Sequence, residues 1–257
     1  MIFSKNKISL IAEIANAHEG KPTLAKKLID AASENKADII KFQIFSTTEL
    51  LERNHEKFKL FKKLEMSFSQ WAKLIKYAKR KRLKVFVDVF GINGAKIAQK
   101  LKVDGYKIHT SDITNPILLD FFSKSIKPIL LSTAGATTNE ISHALEKLSL
   151  SKKEIILMHG FQGYPTQIAD LNLSRISELK NQFGIPVGIM EHVSGNSKLA
   201  LIAPLIGLSL GAIVIDTKLH AVLVSIHLGI GILLFSMVLL TVIFAFRIGK
   251  PILQTKT

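Results

Sequence analysis

Glu13, Lys41, Gln43, Lys107, Thr110, Ser132, His159, Tyr164 and His192 all lie within or just beyond short apolar runs. These are side chains that bind anions, hold metals or move protons. A lysine inside a strand costs free energy unless an anion accompanies it. Lys41 and Lys107, in separate runs, therefore suit a phosphate or carboxylate ligand. The alternative makes each a strand-edge lysine or the partner of a nearby Asp or Glu, and the residues alone leave both open. A desolvated lysine near another cation is also the nucleophile of a Schiff-base aldolase. His192, closing GIMEH, suits a metal ligand or a general acid or base. Glu191 falls on the opposite strand face, so the two do not chelate together. His18, His109 and His159 are further strand-end candidates. With no cysteine in the chain, disulfides, thiolate metal sites and a Cys nucleophile are excluded.

The runs that must position these groups are 8–18, 39–45, 84–90, 105–112, 127–133, 154–165, 186–192 and 212–218. Helical spacing fills the intervals over 24–35, 69–82, 93–101, 116–124, 138–148, 173–183 and 199–210. A serine at the start of 69–82 is its expected cap, and Thr137 with Glu140 forms a capping box. Strand and helix alternating in this way predict a parallel sheet. At 257 residues they predict an α/β (β/α)8 TIM barrel, its last helix replaced by an apolar C-terminal segment. No G-x-G-x-x-G follows the first run, which weakens a dinucleotide-binding alternative. Residues 46–68 read as an extended polar loop at the substrate mouth.

Hydrophobic residues make up 47% of the chain, enough for a sizeable core, and the net charge is +15. The lysines are spread over helix faces without interleaved aromatics, so no nucleic-acid partner is expected. The N-terminus lacks the apolar core and cleavage site of a signal peptide. Residues 221–246 contain no Asp, Glu, Lys or Arg, long enough as a helix to cross a bilayer. The expected division is a barrel domain over 1–220, an apolar helix over 221–246 and a short basic tail over 247–257. That suggests a cytoplasmic catalytic domain with membrane contact through 221–246, or an altered reading frame at the chain end.

IAEIANAHEG, DIIKFQIF, DGYKIHTSDITN, KPILLSTAGAT, HGFQGYPT and IPVGIMEHVSG resemble, in order and spacing, the sialic acid synthase family. That family includes N-acetylneuraminate, legionaminate and pseudaminate synthases. The resemblance implies condensation of phosphoenolpyruvate with an N-acetylated aldose, with a divalent metal, Mn2+ or Mg2+. By motif position it implies Glu13 and Lys41, with Gln43, at the substrate and phosphoenolpyruvate site. Lys107, Thr110 and Ser132 would hold phosphate and carboxylate, Thr110 standing where the family usually has Ser. Tyr164 would contact the sugar, and His192 resembles the first metal histidine, although Glu191 replaces the usual Asp. At the eighth run, IDTKLHAVLV, the second metal histidine has no direct counterpart, and His220 is the substitute. The family's C-terminal antifreeze-like domain has no match in this sequence, and the family homodimer depends partly on that domain.

Overall fold

The computed structural model describes Phe3 and residues 8–149, 152–163 and 165–192. Seven strands form one parallel sheet in the order of the sequence: β1 (Ile11–Ala15), β2 (Ile39–Phe45), β3 (Lys84–Phe90), β4 (Gly105–Ile108), β5 (Ile129–Ser132), β6 (Ile155–Gly160) and β7 (Val187–Met190). Parallel neighbours require crossovers, and helices supply them. They are α1 (Pro22–Glu34), α2 (Thr47–Leu50), α3 (Phe58–Leu64), α4 (Phe68–Arg80), α5 (Gly91–Lys100), α6 (Pro116–Ser123), α7 (Thr138–Leu148) and α8 (Ser174–Phe183). This is the TIM-barrel-like α/β architecture expected. The eighth run and the helix expected over 199–210 lie outside the described residues, as do 221–246 and His220.

Local chemistry sets the helix ends. Pro22 and Pro116 occupy first-turn positions, where a missing N–H costs nothing. The capping box of Thr137 and Glu140 forms as expected. In α4 the cap is Ser67 with Gln70, two residues before the serine expected at 69, because Phe68 already has helical geometry. The longer helices turn an apolar stripe inward: Trp71, Leu74, Ile75 and Ala78 in α4, Leu28 and Ile29 in α1. The stretch 46–68 differs from expectation. It is not extended throughout, because α2 and α3 lie within it and Phe61 of α3 packs on Phe45 at 5.7 Å.

Inside the curved sheet, side chains of alternate residues form layers. Ile11, Ile39, Phe86, Leu130, Ile156, Met158 and Met190 share one buried cluster. Phe86 fills its centre, and Phe3 meets it edge-on at 5.8 Å. The ring needs Gly105 opposite, since a Cβ there would approach it to 2.3 Å. Further along β1 to β4, towards their carboxyl ends, the same inward face turns polar.

Candidate functional site

Four consecutive strands each place one charged residue in this polar layer. Glu13 of β1 is in register with Lys41 of β2, and Asp88 of β3 with Lys107 of β4. Asp88 is also in register with Gln43, two residues beyond Lys41, so it shares Lys41's face. The result is a buried chain of charges. Lys41 pairs with Glu13 and with Asp88, the latter at 3.2 Å, and Asp88 pairs with Lys107. None of the four is more than 8% exposed. Of the two open readings of the lysines, partnership with nearby carboxylates is therefore observed, and it places both on one inner surface.

The backbone around Glu13 is shaped for this. The β1–β2 register shifts between Glu13 and Ala15, and Ala15 takes the left-handed conformation at φ 46°. Such a bulge re-aims a side chain at a strand end. Ala15 N–H donates to Glu13 Oε1 at 3.2 Å, which fixes the carboxylate beside Lys41. Asp88 has no comparable anchor. Its Oδ2 takes both lysines, while its buried Oδ1 accepts no hydrogen bond among the described residues. Burial pushes the Asp88 pKa up, but the charges of Lys107 and Lys41 outweigh it and hold the carboxyl below its ordinary value. His109, two residues beyond Lys107, is pulled below the usual histidine value by burial and then by Lys107.

From β4 to β7 the layer changes to hydroxyls. Thr110 Oγ1 and Ser132 Oγ lie 2.6 Å apart. Gln162, in the loop after β6, donates to Thr110 Oγ1 at 3.3 Å, and Ser132 Oγ reaches Met190 Sδ at 3.7 Å. The same loop is tied to the end of β7: Thr166 N–H donates to the His192 carbonyl at 2.9 Å, and His192 Nδ1 lies 3.1 Å from the Phe161 carbonyl oxygen. The structure thus brings Glu13, Lys41 and Lys107 together, and separately Thr110 with Ser132. Gln43 is half-buried on the face of Lys41. His192 stands at the β7 end, while Tyr164 lies outside the described residues.

Two residues of the site escaped sequence reasoning. Asp88 is a charge in the middle of KVFVDVF, the same kind of anomaly that singled out Lys41 and Lys107. Gln162 lies in the HGFQGYPT stretch but carries no charge to mark it. Among the other histidines, His159 Nε2 is engaged with the Leu171 carbonyl at 2.8 Å, holding the loop before α8. His18 is fully buried against Trp71, ring centroids 5.5 Å apart.

The donor set for a metal is incomplete within this region. Among the described residues no group of three or more His, Asp or Glu comes together to hold an ion. His192 Nδ1 lies on the Phe161 carbonyl oxygen, the kind of outer partner that a ligating imidazole also has. One imidazole does not fit a divalent ion alone.

A parallel, sequentially wound α/β sheet of TIM-barrel type, with its polar site at the strand carboxyl ends, is the class that fold and site define. The chain belongs to the NeuB family, which it matches over residues 28–222. It is 34% identical over 208 residues to the uncharacterised protein MJ1065 of Methanocaldococcus jannaschii, covering 80% of this chain and 60% of that one. It is 30% identical to the N,N'-diacetyllegionaminic acid synthase of Campylobacter jejuni, covering 82% of this chain and 66% of the relative. The chain thus spans 60% and 66% of the length of these two relatives. Among solved structures, the N-acetylneuraminic acid synthetase of Leptospira borgpetersenii, in complex with citrate, superposes with a TM-score of 0.75 at 30% identity, covering 81% of this chain and 72% of that one. Among the described residues, no helix is long and apolar enough to cross a membrane.

Proposed function

We propose that this chain is a nonulosonic acid synthase, condensing phosphoenolpyruvate with an N-acetylated aldose, N-acetylmannosamine or a relative, and releasing inorganic phosphate. The observation that carries this reading is the buried chain of Glu13, Lys41, Asp88 and Lys107 in a NeuB-family fold. Its relatives include synthases of legionaminic and pseudaminic acids.

In the proposed reaction, carbon 3 of phosphoenolpyruvate attacks the aldehyde carbon, forming the new C–C bond as the aldehyde oxygen takes a proton. Water then adds at carbon 2. The carbon 2–oxygen bond to phosphate breaks, phosphate leaves with that oxygen, and a keto group remains. Lys41 and Lys107 hold the phosphate and carboxylate as ammonium groups, and Thr110 and Ser132 supply hydroxyl donors to the phosphate. Glu13 positions Lys41 beside the reacting carbons, and Tyr164 contacts the sugar. Both lysines are engaged as ammonium groups in ion pairs with carboxylates. That form binds anions but does not attack a carbonyl, so the geometry gives a Schiff-base aldolase less support. A divalent ion, Mn2+ or Mg2+, when bound, would polarise the aldehyde. Because no three His, Asp or Glu side chains come together to hold it among the described residues, no step here passes through it.

The test is phosphate release from phosphoenolpyruvate with and without N-acetylated aldoses, compared with Lys107→Met. Aldose-dependent release that falls about a hundredfold or more in the variant is expected, as when a charge-stabilising donor is removed. Release that is independent of aldose, or unchanged in Lys107→Met, contradicts the proposal.

A further inference from the structure

We infer that Asp88 is a built-in counter-ion that competes with an anionic ligand for Lys41 and Lys107, and so sets how tightly this site holds a phosphate-bearing acid. The inference rests on the reading of those lysines as the phosphoenolpyruvate site. Among the described residues the charges of the layer cancel: Glu13 and Asp88 against Lys41 and Lys107. An entering dianion therefore meets no excess of positive charge, and it must draw both lysines away from a carboxylate already in contact with them.

The two carboxylates are not equivalent in this respect. Glu13 is held from the backbone by Ala15 N–H and stands at the edge of the charge chain, touching Lys41 alone of the two lysines. Asp88 stands between the lysines, and among the described residues its hydrogen bonds come from them alone, through Oδ2, while Oδ1 has no donor. It thus occupies the place where one anionic group contacts both cations at once. A phosphate taking that place would leave Asp88 as a second buried anion beside it, and like charges in a buried site repel strongly. Neutralising Asp88 removes the competitor and the repulsion together. It also leaves two lysines without their shared counter-ion, so the variant protein gains more from a bound anion than the natural one does.

The experiment is calorimetric titration of the full chain with inorganic phosphate and with phosphoenolpyruvate, for the natural protein, Asp88→Asn and Asp88→Ser. Asp120→Asn, which removes an exposed carboxylate paired with Lys124, controls for the overall change of charge. Thermal melts with and without phosphate give a second readout. At least about tenfold tighter binding is expected in both Asp88 variants, with a larger phosphate-induced rise in melting temperature. Asp120→Asn should match the natural protein, and adding Lys107→Met to Asp88→Asn should abolish the gain. If the natural protein binds phosphoenolpyruvate and the Asp88 variants bind it equally or more weakly, the counter-ion role is overturned while the site assignment stands. Binding by none of the proteins overturns the site assignment itself, and the inference with it.

Discussion

Glu13 and Lys41 stand opposite one another in the β1–β2 register, and their side chains close an ion pair buried from solvent. Two charges removed from water are tolerated only while each neutralises the other. The pair is also the first link of a chain that ends at Lys107, so its integrity and the site's electrostatics are one matter.

Lys41→Met removes the partner of Glu13 and one of the two partners of Asp88. Breaking a buried pair in this way costs about 3–5 kcal/mol. Denaturant unfolding of Lys41→Met and of the double variant Glu13→Gln/Lys41→Met measures the effect. The double variant should recover a substantial part of the loss, since it no longer buries the Glu13 charge. A loss below about 1 kcal/mol in Lys41→Met would mean that the pair is not buried in solution.

His18 gives the fold an acid limit. Its Nδ1 accepts from Gly20 N–H at 2.9 Å, and burial lowers its pKa from 6.5 to about 4. The folded state therefore keeps it neutral where the unfolded chain would protonate it. Between about pH 6.5 and about pH 4 the unfolded state binds the extra proton, so stability falls as pH falls through this window. The full effect is about 3 kcal/mol. Unfolding free energies of the natural protein and His18→Gln, taken across that range, should show a shallower decline in the variant. Parallel curves would remove His18 from the account.

His192 is the metal donor proposed for this site, and the proposed second donor, His220, lies outside the described residues. Titration with Mn2+, followed by the loss of the free-ion paramagnetic signal, should find one site in the natural chain and none in His192→Ala. A site that survives this substitution would place the metal elsewhere.

The sheet was readable because each of its seven strands is an apolar run bounded by turn residues, and burial on both faces demands such runs in a parallel sheet. Lys41 and Lys107 stood out for the converse reason: a charge within such a run requires a partner. Which partner it has depends on strand register, and register does not follow from composition. Asp88 therefore became visible only when β3 was set beside β2 and β4. The hydroxyl contact of Thr110 with Ser132 spans 22 residues and involves no charge, so only the resemblance to sialic acid synthases pointed to it. Within 46–68, α2 and α3 were missed because two short helices in a polar stretch carry too few apolar repeats to show a period.

The most direct test of the central claim follows the oxygen that bridges carbon 2 and phosphorus in phosphoenolpyruvate. With that oxygen isotopically labelled and an N-acetylated aldose present, mass spectrometry of the products distinguishes carbon–oxygen from phosphorus–oxygen cleavage. The account predicts a nonulosonic acid without the label and inorganic phosphate that carries it. Label retained in pyruvate, with no sugar acid formed, would contradict it.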